Sequence, residues 1–63
     1  MNTRKLTIQD IVVKLKTMKL KDVWYAMCEG YNTDDKLEHN IIGDGTTEEL
    51  AVNNYVTKYH KFH

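Results

Sequence analysis

Thr7-Ile8-Gln9-Asp10-Ile11-Val12-Val13-Lys14-Leu15-Lys16-Thr17-Met18 is the stretch on which the fold turns. Two readings compete in it. Ile8, Ile11, Val12, Leu15 and Met18 recur at helical spacing and form one apolar stripe. Thr7 is a good N-cap, Asp10 sits three residues on in a capping-box position, and Leu6 with Ile11 has the spacing of a hydrophobic staple. Against this, Ile11-Val12-Val13 is a β-branched run that suits a strand, and Val13 falls off the stripe. Cap and spacing together predict a helix over 7–18.

Beyond Met18 the stripe breaks, because Lys19 and Asp22 take its next positions. A second one starts at once with Leu20, Val23, Trp24, Met27, Cys28 and Tyr31. At 100° per residue its centre is rotated by roughly 140° from the first. One long helix burying two faces would fit this pattern, but a turn near Thr17–Lys19 explains the phase jump better. A second helix over 20–29 follows, with Gly30 at its C′ position.

Residues 31–45 read as irregular and acidic. Asn32-Thr33-Asp34-Asp35 and Gly43-Asp44-Gly45 carry turn chemistry, and between them a short helical turn or a brief strand at His39–Ile42 is open. The last element is a helix over 46–61. Thr46 with Glu49 makes a capping box, Ala51, Val52, Tyr55, Val56, Tyr59 and Phe62 form the buried stripe, and Asn53, Asn54, Thr57, Lys58 and Lys61 cover the other side. The expected fold is an all-α, three-helix domain spanning 1–63. Its expected core is Ile8, Ile11, Leu15, Leu20, Val23, Trp24, Met27, Leu37, Ile41, Val52, Tyr55, Val56 and Tyr59.

Sixty-three residues allow one domain at most, and a core this small is thin. Self-association as a homodimer, or dependence on a partner, is therefore expected. Cys28 is the only cysteine, so no disulfide assists. The start Met-Asn-Thr-Arg-Lys has no apolar run behind it, so no signal peptide is expected, and no stretch reaches the ~20 apolar residues of a membrane span. Together these point to the cytoplasm. Proline is absent and only three glycines occur, which favours helices over a many-turned β architecture.

The formal net charge is zero but unevenly distributed. Arg4, Lys5, Lys14, Lys16, Lys19 and Lys21 stand against Asp10 alone in the first 21 residues, while residues 22–49 hold eight acids against Lys36. Such poles steer encounters with charged partners.

Motifs for chemistry fail one by one. Cys28 with His39 lacks an orienting third group and an oxyanion hole, and Cys28 lies in an apolar stripe, where a thiol packs as a small hydrophobe. His60 and His63, with Cys28 and His39, lack the paired Cys-x-x-Cys of structural zinc sites. A calcium loop from Asn32 would need glycine where Leu37 stands and glutamate where Gly43 stands. Gly43-Asp44-Gly45 has no following Lys-Ser/Thr for phosphate. No enzyme activity, cofactor or metal is expected.

What remains is binding. A 63-residue chain opening on Met and lacking catalytic machinery reads as a small protein-interaction or regulatory module, an inhibitor of the kind phages and mobile elements use to modulate a host protein. The expected contact residues are Arg4, Lys5, Lys14, Lys16, Lys19, Lys21 and Tyr25, facing a protein partner with an acidic surface. The competing surface is acidic: Asp34, Asp35, Glu38 and Asp44. The alternative function is a helix-turn-helix DNA-binding regulator using residues 7–28. Lys16 stands where its turn glycine belongs, and Met18–Trp24 lacks a base-reading face.

Overall fold

The computed structural model describes residues 2–33 and 35–62, the side chain of Phe62 excepted. Asp34 and His63, which enter the acidic-surface and zinc readings, lie outside the described residues, as does the Phe62 side chain of the helical stripe.

The chain is a four-stranded antiparallel meander followed by one helix, not a three-helix domain. Strands β1 (Asn2–Ile8), β2 (Ile11–Leu20), β3 (Val23–Cys28) and β4 (Ile42–Gly45) lie side by side in chain order, and α1 runs Glu48–Phe62. The expected helix 7–18 is replaced by the β1–β2 hairpin, and the expected helix 20–29 by β3 and the turn before it. The reason is the period of 2 hidden in the opening stretch. Val13, Leu15 and Thr17 are buried, while Val12, Lys14 and Lys16 lie on the other side. Ile11-Val12-Val13 was thus the decisive signal, and Val13, off the helical stripe, is 2% exposed. Thr7 and Asp10 cap no helix. Gln9 and Asp10 form the two-residue turn between Ile8 and Ile11, both with positive φ (50° and 68°), as a type I′ hairpin requires. Lys21 takes φ 56° in the second tight turn, before Val23.

After β3 the chain loops through a 3-10 turn at Leu37–Asn40 into β4. Gly43-Asp44-Gly45 is therefore strand, not turn, and Gly30 ends no helix. The glycines are required by packing. A Cβ on Gly43 would press on the Ala51 carbonyl oxygen and lie 2.5 Å from the Tyr55 nitrogen, and one on Gly45 would lie 2.8 Å from the Ala51 nitrogen. The helix backbone rests directly on β4.

The C-terminal helix is the element expected, starting slightly later. Thr47, not Thr46, is the cap: the Leu50 N–H donates to Thr47 Oγ1 (3.2 Å) and the Ala51 N–H to the Thr47 carbonyl (3.0 Å). Ala51, Val52, Tyr55 and Tyr59 are buried against Val13, Leu15, Ala26, Cys28 and Ile41. Fully burying a valine, leucine or isoleucine side chain of this cluster contributes roughly 1.5–3 kcal/mol. The Tyr55 hydroxyl donates to the Glu38 carbonyl (2.8 Å), which pins the loop to the core, and burial pushes the phenol pKa well up. Two expected core residues are outside: Ile11 is 40% exposed and Leu20 57%. Val23 and Met27 are only half-buried, on the sheet face away from α1. Among the described residues no helix is long and apolar enough to cross a membrane.

Candidate functional site: an open sheet face and its free edge

The helix covers one face of the sheet and leaves the other bare. Alternation puts Thr3, Lys5 and Thr7 of β1, Val12, Lys14, Lys16, Met18 and Leu20 of β2, Val23, Tyr25 and Met27 of β3, and Ile42 and Asp44 of β4 on the bare side. Register aligns them into rows. Lys5 stands opposite Lys14; Thr3, Lys16, Met27 and Ile42 form the next row; Met18, Tyr25 and Asp44 form the one after. The result is a lysine corner beside an apolar field containing two methionines and a tyrosine. Val12 at its margin is 62% exposed.

Like charges directly opposite on neighbouring strands are destabilising. Among the described residues, none of Lys5, Lys14 and Lys16 has an ion-pair partner. Glu29 is tied next to Lys14 by its N–H, which donates to the Lys14 carbonyl (2.8 Å), yet the two side chains form no salt bridge.

Four of the expected contact residues, Lys5, Lys14, Lys16 and Tyr25, are thus brought onto one face. The other three are not. Arg4 points to the helix side and pairs with Glu49 (3.0 Å) and, more loosely, Glu48 (3.7 Å); the bond to Glu49 raises its pKa. Lys19 lies on the helix side opposite Trp24, and Lys21 is in the turn. Of the competing acids, Asp44 borders Tyr25 while Asp35 and Glu38 belong to the loop before β4. Leu20, Val23 and Met27, expected in a helical core, belong to this face instead, as does Met18 of the first helical stripe. A period-2 reading of β2 and β3 would have found them.

Glu48 anchors the corner where β1 begins. Its carboxylate accepts from Thr17 Oγ1 (2.6 Å) and Asn2 Nδ2 (2.8 Å). These bonds, led by Thr17 and aided by the charge of Arg4, lower its pKa.

The two borders of the sheet differ. The Glu29 bond to Lys14 shows that even-numbered residues of β2 bond toward β3, so its odd-numbered residues bond toward β1. Their partners are Ile8, Leu6, Arg4 and Asn2. The N–H and C=O groups of Thr3, Lys5 and Thr7 therefore point outward, and among the described residues nothing caps them. By the same alternation Ile42 and Asp44 point outward from β4, and one backbone group of each is met. Asp44 N–H donates to Asn54 Oδ1 (3.1 Å) and Lys58 Nζ to the Ile42 carbonyl (3.0 Å). Asn54 and Lys58, expected on the helix face away from the core, cap this edge at those two groups.

Cys28 and His39 both line an open cleft of about 400 Å3, together with Val12, Val13, Lys14, Glu29, Gly30, Lys36 and Glu38. Cys28 is only 5% exposed there, and the His39 ring lies against Gly30, with its Nδ1 at 3.5 Å from Thr33 Oγ1. Among the described residues no three His, Cys, Asp or Glu side chains are placed to share a metal. His60 sits at the far end of the helix beside Gln9 (3.2 Å).

Compared with known proteins, the chain matches no family model, no curated sequence and no solved structure.

Proposed function

We propose that this chain is a small protein-interaction module that binds an acidic protein surface on the helix-free face of its sheet. The observation that supports this is the unpaired Lys5–Lys14 couple with Lys16 beside it, set next to Met18, Tyr25, Met27 and Ile42. Carboxylates of a partner would relieve the lysine repulsion, and methionine and tyrosine are enriched where proteins meet. The face carries one aromatic ring among several aliphatic side chains, which suits a protein surface better than a run of stacked bases. Duplex-DNA binding by a helix-turn-helix is not proposed, because residues 7–28 form strands joined by tight turns and hold no helix. The reading is of a binding protein, not an enzyme, working in a reducing compartment where the buried Cys28 thiol stays free.

The test is a titration of 15N-labelled protein with poly-L-glutamate, with oligothymidylate as the comparison. Amide shifts should cluster at Lys5, Lys14, Lys16, Tyr25 and Met27, and Lys5→Glu, Lys14→Glu and Lys16→Glu together should abolish them. Shifts confined to the Lys58–Lys61 end of α1, or binding of oligothymidylate alone, would overturn the assignment.

A further inference from the structure

We propose that the outward edge of β1 is a strand-addition site, taking an extended acidic segment of the partner as a fifth strand. The proposal rests on the reading of the basic face given above and specifies how the partner is held. Edge strands present rows of unpaired backbone groups, and folded proteins ordinarily blunt them. Here the helix caps the edge of β4 through Asn54 and Lys58 and leaves that of β1 bare. Thr3, Lys5 and Thr7 offer up to three donors and three acceptors at alternate positions of a seven-residue strand. Main-chain bonds of this kind supply affinity in strand addition, and alternate side chains supply specificity.

The chemistry of the occupant follows from the two sides of β1. On the open face an added strand would set every second side chain beside Lys5, with Lys14 the next strand inward. Acids fit there. Its other side chains would lie on the helix side beside Leu6, which is half-buried, so apolar β-branched residues fit there. The segment sought therefore alternates acidic and apolar residues. A second copy of this chain fits poorly, because antiparallel β1–β1 pairing centred on Lys5 would oppose Lys5 to itself.

The chain is short enough for total chemical synthesis, which allows the Lys5 amide to be N-methylated while its charge is kept. This removes an outward donor that no ladder bond uses, and N-methylation at Thr7 gives a second such chain. The probe is the peptide acetyl-(Glu-Val)4-amide, with binding read by calorimetry and by amide exchange. The expected result is that unmodified protein binds with slowed exchange at Thr3, Lys5 and Thr7, and that both N-methyl chains bind at least tenfold more weakly. If the N-methyl chains bind as tightly as the parent while Lys14→Glu with Lys16→Glu abolishes binding, strand addition is wrong and the basic-face reading stands. If neither change matters, both fail. If sedimentation shows a dimer that N-methyl-Lys5 dissociates, the edge belongs to a second copy and the acidic occupant is wrong. If the exchange of Thr3, Lys5 and Thr7 is unaltered by bound peptide in the unmodified protein, the edge is not where the peptide sits.

Discussion

At β4 the outward N–H of Asp44 meets Asn54 and the outward carbonyl of Ile42 meets Lys58, whereas at β1 the corresponding groups of Thr3, Lys5 and Thr7 meet nothing among the described residues. Both are edge strands of one meander. What separates them is where the helix lies: α1 packs chiefly across β4 and β3, less on β2, and reaches β1 with the side chains of Glu48 and Glu49, not at its outer border. Gly43 and Gly45 let the helix come down onto β4 so closely that residues on its flank reach the strand's outer border. A short, glycine-containing edge is capped at two of its backbone groups, and a long, lysine-bearing edge is left accessible. The same asymmetry leaves one sheet face bare and gathers Lys5, Lys14, Lys16 and Tyr25 on it.

Gly43→Ala should break this arrangement most severely. The added methyl meets helix backbone at Ala51 and Tyr55, which cannot rotate away, so α1 must lift. Overpacking of this kind costs about 1–3 kcal/mol. Thermal unfolding should show the loss, and the Asp44 amide should become exchangeable as Asn54 is drawn off. Retained stability would mean that the helix does not rest on β4 as described.

Asn54→Ala sharpens the comparison by opening the β4 edge without moving the helix. It removes the acceptor for Asp44 N–H, a bond worth about 1 kcal/mol. The expected outcome is a modest fall in midpoint, with the Asp44 amide exchanging like those of Thr3 and Lys5. An unchanged Asp44 exchange rate would show that another group protects it.

The smallest effect concerns the corner where β1 is fastened. Glu48 has a folded pKa lowered below its ordinary value of 4.5, chiefly by the hydrogen bond from Thr17, then by Asn2 and by Arg4. Its contribution to stability is therefore complete above pH 4.5 and is lost as pH falls through the lowered folded value. Melting temperature should be flat above about pH 5 on this account and drop below it, and Thr17→Val should flatten that drop. Parallel curves for parent and variant would show that Thr17 does not hold the carboxylate.

How much of this was legible before the structure varies along the chain. The C-terminal helix announces itself locally, through Thr46-Thr47-Glu48-Glu49 and the stripe Ala51, Val52, Tyr55, Tyr59. The first half does not, because Ile8, Ile11 and Leu15 satisfy a helical period while Val13, Leu15 and Thr17 satisfy a strand period. The usual arbiter is the turn, and both tight turns are disguised. Gln9-Asp10 and Lys21-Asp22 stand where asparagine and glycine are expected, and residues with a Cβ carry the positive φ. Of the basic contact set, Lys5, Lys14, Lys16 and Tyr25 share a face under strand geometry. Arg4, expected as a partner contact, is paired with acids 44 and 45 residues away. No local signal shows the difference between the edges, since it depends on which strands end up outermost and where a distant helix lies.

Amide hydrogen exchange of the free protein, read residue by residue, tests the contrast between the edges most directly. Along β1 protection should alternate: Arg4, Leu6 and Ile8 slow, Thr3, Lys5 and Thr7 near the rate of an unstructured chain. On β4 the outward amide of Asp44 should be slow although it faces away from the sheet. Uniform protection along β1, or an Asp44 amide as fast as that of Lys5, would contradict the claim that one edge is capped by the helix and the other open.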